Sequence, residues 1–322
     1  MVYDSQADRI ILFGGSNSTL LNDTWAFNPT TNAWTHRFPT QSPPRLFSPV
    51  MAFDARADRS IMAGQPLGGG SLDTWAYDYG ANRWSEVSTP GPSNRSGAAM
   101  VYDPFAGRDL LFGGTSSSGV PLADTWAFDY ANVTWTNRSP PSPPPGRLGM
   151  ALVFDAAADR VVMFGGTGSV GLMQVIYDDT WGYDYTANTW TNLAPLGAPT
   201  GRYLAAMDYD SLAHVSVLFG GMEIGTFVDE AWSFQLAAAI PPTAPRTLAA
   251  TGGVLQINLT WMAPYWNGGV SVTNYTIYRG TASGTETYLS TIGLTTAYVD
   301  RAVTAATTYY YEVAALNSVG KG

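Results

Sequence analysis

The stretch "MVYDPFAGRDLLFGG", residues 100–114, decides how the chain is read. It is followed by "DTWAFDY" at 124–130 and "TWTNR" at 134–138. The chain opens on a near copy, "MVYDSQADRIILFGG", residues 1–15, which agrees at most positions. Searching outward finds "FGG" at Phe13, Phe112, Phe164 and Phe219, with a degraded "AGQ" starting at Ala63. An aromatic–Asp pair precedes each copy, and a Trp follows each, at Trp25, Trp75, Trp126, Trp181 and Trp232. A second Trp closes the first four units, at Trp34, Trp84, Trp135 and Trp190. An Arg enters units two to five, at Arg45, Arg95, Arg147 and Arg202. A fixed period near fifty residues marks a repeat architecture.

Each unit reads as four strands, a to d. In strand c, Trp126 and Phe128 stand two apart and share one face, as do Trp25/Phe27, Trp75/Tyr77, Trp181/Tyr183 and Trp232/Phe234. Asp and Asn between c and d are hairpin-turn residues. The "YDxxADR" turns, Asp4, Asp8, Arg9 and their copies, are expected to cap tight a–b hairpins. The double Gly after strand b permits positive φ or close backbone approach. A four-stranded unit at this period describes a propeller blade. Unit one has only half of strand a, and unit five has no closing strand.

These motifs resemble the Kelch repeat, over roughly residues 1–237, and the resemblance implies an all-β Kelch-type β-propeller with five visible four-stranded repeats, the first and last incomplete. A proline-rich linker, 238–245, follows. Residues 246–322 resemble a fibronectin type III β-sandwich lacking its last strand. Trp261 stands where that family has its core Trp, Tyr275 and Ile277 alternate on the third strand, and "NGG" at 267–269 turns into it. Tyr309, Tyr311 and Val313 alternate on the sixth, with Tyr309 at the position of the tyrosine corner.

Composition narrows the function. The 322 residues carry a net charge of −9, with Lys321 the only lysine, so a nucleic-acid backbone is not an expected partner. No apolar run reaches membrane-spanning length, and no membrane insertion is expected of this segment. There is no Cys, which excludes disulfides and thiolate chemistry. Met1 falls at the repeat position of Met51, Met100 and Met207, and so reads as a mid-strand residue rather than a start. The missing signal peptide then argues for no compartment.

A propeller beside an immunoglobulin-like module is similar to the galactose-oxidase class of copper enzymes, but that class needs a Cys-linked Tyr and paired His ligands. His36 and His214 fall in different units and strand contexts. Sialidase-type propellers use an Arg cluster with a Tyr nucleophile, and the four entry arginines recur by repeat symmetry instead. No nucleophile–base pair stands out. The expectation is therefore of a non-enzymatic protein without cofactor. Asp178, Asp179, Asp229 and Glu230 are a weak calcium candidate set without "DxDxDG" spacing, read as solvated turn carboxylates.

Connections b–c and d–a leave the same end of an up-and-down blade and are the long ones. That rim is where a binding site is expected. Met173, Val175, Ile176, Tyr177 and Phe227 are the candidate contact residues, set against the alternative that they pack on neighbouring loops. Seven N-x-S/T sequons, Asn17, Asn22, Asn94, Asn132, Asn137, Asn258 and Asn274, are glycosylation candidates, with Asn17, Asn94 and Asn137 favoured by their loops. The functional expectation is an extracellular or cell-surface binding or adhesion protein, whose partners are surface glycans or other protein copies. The alternative is a structural subunit, a homopolymer joined through incomplete edges. A secreted carbohydrate-active enzyme ranks last.

Overall fold

A computed structural model describes residues 1–69, 71–87, 90–171, 173–195, 197–236, 241–264, 272–317 and 319–322. Two compact units emerge. The first holds Met1–Phe154, Arg160–Tyr209 and Ser216–Phe234, and the second Asp155–Asp159, Asp210–Val215 and Gln235–Gly322. The "NGG" turn at 267–269 and the start of the linker lie outside the described residues. Among the described residues no helix is long and apolar enough to cross a membrane.

The first unit is a succession of antiparallel sheets, one per repeat, each in simple up-and-down order. In the third repeat the strands are Ala99–Asp103, Arg108–Phe112, Thr125–Asp129 and Thr134–Asn137. In the fourth they are Ala151–Asp155, Arg160–Phe164, Thr180–Asp184 and Thr189–Asn192. The fifth has three strands among the described residues, Ala206–Asp210, Val215–Phe219 and Ala231–Phe234.

The a–b turns follow one design. Asp4, Asp54, Asp103, Asp155 and Asp210 each accept two backbone N–H bonds from the residues two and three ahead. The residue five into each turn is left-handed: Asp8, Asp58, Gly107, Asp159 and His214, all with φ between 50° and 64°. His214 is thus a turn residue, and short polar side chains hold such turns by bonding their own backbone.

The core lies between blades. Ile11 and Phe13 of blade one pack with Met51, Met62, Trp75 and Trp84 of blade two. Ile61 and Ala63 of blade two pack with Met100, Leu111 and Trp135 of blade three. A recurrent bond ties these layers. The Trp84, Trp135 and Trp190 indoles, on strand d, donate to Thr24, Thr74 and Thr125 of the blade before, at 2.9, 3.0 and 3.0 Å. The same Trp covers the preceding "FGG" ring: Trp84 on Phe13 and Trp190 on Phe112, with centroids 5.2 and 5.0 Å apart. The "DTW" threonine and the "FGG" phenylalanine are therefore two walls of one tryptophan socket.

The second unit is a sandwich of two three-stranded sheets. One has Arg246–Gly253, Gln256–Met262 and Ala297–Asp300 in that spatial order. The other places Asn274–Gly280 between Thr287–Ile292 and Tyr310–Leu316. Leu259, Trp261, Tyr275, Ile277 and Ala315 fill its interior. After the last strand the backbone folds back, and Lys321 pairs with Leu316.

Candidate functional site

At the loop-bearing end of the propeller, buried arginines pair with carboxylates that keep part of their surface in water. Arg95 enters blade three, fully buried, and its guanidinium grips both carboxylate oxygens of Asp124 at 2.6 and 2.8 Å. The same group donates to the carbonyl of Gly113. Arg147 repeats this with Asp179, at 2.5 and 2.9 Å, and with Gly165. Arg202 reaches Gly220, Glu223 and Glu230. Both glycines of each pair have positive φ, so the chain turns its carbonyl toward the Arg. Burial works against the Asp124 carboxylate, but the bonds and charge of Arg95 outweigh it and hold its pKa below the ordinary value. Unit two lacks the double Gly, and there Arg45 is exposed and strand b runs on to Pro66.

The carboxylates also take a tryptophan. Asp23, Asp124 and Asp179 each accept the indole N–H of the Trp two residues on, at 2.7 Å. The carboxylates read as solvated or calcium-binding therefore divide. Asp179 and Glu230 are committed to buried arginines and to Trp181 and Trp232, while Asp178 and Asp229 are exposed. Among the described residues no group of three or more His, Asp or Glu converges to hold a metal.

On this frame sit the b–c tips. In blade four the connection is a hairpin rather than an open loop, with Thr167–Val170 paired to Met173–Ile176. Met173 stands exposed at its turn. Val175 and Ile176 are half-buried, and Tyr177 packs face-on under the Arg147 guanidinium at 3.9 Å. Tyr177 is thus a packing residue. Phe227 is exposed beside a tight turn in which the Glu223 N–H donates to the Thr226 carbonyl. Three further tips complete a set that the sequence reading missed: Leu67, Val120 and Ile224. With Met173 and Phe227 these are 56–90% exposed, on four successive blades. The available signal was a large apolar residue beside a Gly or Pro in these b–c connections.

His36 stacks on Trp25, with centroids 4.5 Å apart and rings 18° from parallel, and touches Phe38. It belongs to an aromatic stack on the outer strand. Among the sequons, Asn17, Asn22, Asn132 and Asn137 are exposed, and Asn258 and Asn274 are half-buried. Asn94, one of the favoured three, is buried, its side-chain oxygen without a partner. It sits immediately before Arg95, whose burial draws the backbone inward, so a folded chain does not present it for glycan attachment.

Residues 1–142 match the KLHDC2/KLHL20/DRC7 Kelch-repeats domain. The structure is similar to that of YjhT, with a TM-score of 0.57 and 17% identity over 70% of this chain and 77% of that one. Residues 1–142 carry Kelch repeats. By sequence, the multiple epidermal growth factor-like domains protein 8 of Mus musculus is 29% identical over 142 residues, 42% of this chain. The chain spans only 5% of that protein's length. One expectation is corrected here. The chain was expected to be non-enzymatic because no catalytic group stood out. A propeller with YjhT as structural neighbour gives no ground for that exclusion, and it is withdrawn.

Proposed function

We propose that the chain is an extracellular or cell-surface binding protein whose partner seats on the b–c rim of the Kelch propeller. The observation that carries this is the set of exposed apolar b–c tips Leu67, Val120, Met173, Ile224 and Phe227, on a frame of buried arginines and their carboxylate partners. Exposed apolar side chains clustered on a rigid scaffold favour a contact surface. Kelch repeats generally mediate protein interactions, in keeping with a protein surface or a surface glycan as partner. Exposed sequons at Asn17 and Asn137 accord with an exported protein.

The second unit is read as a fibronectin type III module. In support, its sheets carry the first, second and fifth strands on one side and the fourth, third and sixth on the other. Trp261 meets Tyr275 edge-on at 5.5 Å, and the Tyr309 hydroxyl accepts the backbone N–H of Thr304 at 3.1 Å, as a tyrosine corner does.

The test is binding to cell surfaces and to arrayed glycans by the chain and by a Met173→Asp/Phe227→Asp double variant. Loss of binding with unchanged melting supports the rim; equal binding by both refutes it. Glycoside turnover is assayed on the same samples.

A second reading, a self-assembling structural subunit, draws on two uncovered faces. Trp34 of blade one is 48% exposed and Phe219 of blade five 56%, whereas their counterparts Trp84, Trp135, Trp190, Phe112 and Phe164 are buried between blades. Electron microscopy of native material showing only dispersed particles would sink it.

A further inference from the structure

One place on strand b breaks the repeat. Opposite the strand-c aromatic of each blade stands one strand-b residue: Ile10 opposite Phe27, Ser60 opposite Tyr77, Asp109 opposite Phe128, Val161 opposite Tyr183 and Ser216 opposite Phe234. Of these five, only that of blade three is an acid. Asp109 is fully buried, and neither of its carboxyl oxygens has a partner. It looks into the seam with blade two. Phe128, and Leu111 on the same face two residues on, pack with Ala52, Ile61 and Ala63 of blade two. Tyr102, opposite Asp109 on strand a, packs against the same core.

The groups around this carboxyl give it no cation. On blade two, Asp54 ends the strand Leu46–Asp54, is buried, and accepts the N–H groups of Arg56 and Ala57. Arg56 itself is exposed, its guanidinium against the turn at Gly107, and Arg59 pairs with Asp78. On blade three, Arg108 pairs with Asp129 at 2.8 Å, and Asp103 accepts the N–H groups of Phe105 and Ala106. Burial, and then Asp54, raise the pKa of the Tyr102 hydroxyl, so it stays neutral. A carboxylate sealed from water without a partner costs so much that the group keeps its proton instead. Burial is the main reason here, and the nearby Asp54 carboxylate adds to it.

We propose that the seam between blades two and three is a proton-operated joint, closed while Asp109 is protonated and opening locally when the proton leaves. The closed seam holds that proton more tightly than the open one, where water restores an ordinary carboxyl. Closure is therefore fully favoured below about pH 4 and weakens as pH rises toward the closed-seam value. Opening a seam between two blades exposes the backbone of the strands that line it, here strand a of blade two and strands a and b of blade three.

The test is hydrogen–deuterium exchange of the 322-residue chain from mildly acidic to mildly alkaline pH, read as protection factors corrected for intrinsic exchange. Protection of residues 46–54 and 99–112 is expected to fall as pH rises, by at most about tenfold per pH unit, the limit for one proton. Two variants remove the proton: Asp109→Asn, and Asp109→Ser, which installs the residue that blades two and five carry at this place. In both, the two segments are expected to hold one level of protection across the range. Residues 151–164, whose blade has Val161 at this place, are expected to be protected alike in all three chains, which also reports that the variants are folded. A seam whose protection ignores pH, or that never exchanges, overturns the joint. So does the same fall in both variants, or a fall that residues 151–164 share in full and that the variants leave in place.

Discussion

The indole N–H of Trp190 donates to the hydroxyl of Thr125 at 3.0 Å, from the last strand of one blade to the third strand of the blade before. Both groups are buried, so neither has water as an alternative. Thr125→Val keeps the shape and strands the indole, and is expected to cost about 1–3 kcal/mol. Trp190→Ala also empties the socket and is expected to cost about 3–5 kcal/mol. Urea unfolding of both variants checks the order; no cost for Thr125→Val would mean that packing alone holds the blades, and equal costs that the ring's packing adds nothing.

Arg147, fully buried, grips the partly exposed Asp179 bidentately, and further contacts of the pair include the Pro145 and Gly165 carbonyls, the Tyr177 ring and the Trp181 indole. Removing the carboxylate leaves the Arg147 charge desolvated. Asp179→Ala is expected to cost about 3–5 kcal/mol, and Arg147→Met combined with Asp179→Leu much less than the sum of the single changes. A double-mutant cycle read by chemical denaturation makes the comparison.

Asp109 is fully buried on strand b of blade three, and neither carboxyl oxygen has a partner. Burial, and then the charge of Asp54, raise its pKa well above the ordinary value. A raised folded-state pKa means the native chain holds its proton more tightly than the unfolded chain. The contribution is therefore fully present below the unfolded value near 4 and lost as pH rises toward the folded value. Asp109→Asn is expected to raise the melting temperature at neutral pH and to flatten the decline in stability between mildly acidic and neutral pH. Melting curves across that range test it; a parallel shift of the whole profile would refute the assignment.

Gly165 has φ of +66°, and a Cβ there would lie 2.3 Å from the carbonyl oxygen of Arg202. Gly171, in the rim hairpin, has φ of +62° with open space around it. Gly171→Ala thus carries only backbone strain, about 1 kcal/mol, while Gly165→Ala adds a collision with main chain and is expected to cost several times more. Thermal denaturation of the pair separates conformation from contact.

The repeat was legible because its marks are local. Period-two aromatics, the "YD" turn and the double Gly each act within a few residues, so strands and blade boundaries follow from short windows. What escaped depends on partners about thirty residues away. Asp179 read as a solvated loop acid because nothing beside it announces Arg147, 32 residues earlier in the chain. Asn94 read as an exposed sequon for the same reason, since Arg95 draws it inward. Met173 was recognised as apolar, but the hairpin raising it is set by pairing across Gly171, in a segment with no strand period. Leu67, Val120 and Ile224 sit in connections with no strand or helix period, and their exposure follows from the folded blades.

The tryptophan ties have a direction. Each reaches back over 60, 61 or 65 residues, never forward. A blade leaving the ribosome therefore finds its receptor already made, and its arrival seals the socket of its predecessor. The separation to be closed is nearly constant from blade to blade, so the loop-closure entropy is as well. Such a chain can lock vectorially during synthesis, each step leaving one uncapped socket at the growing end.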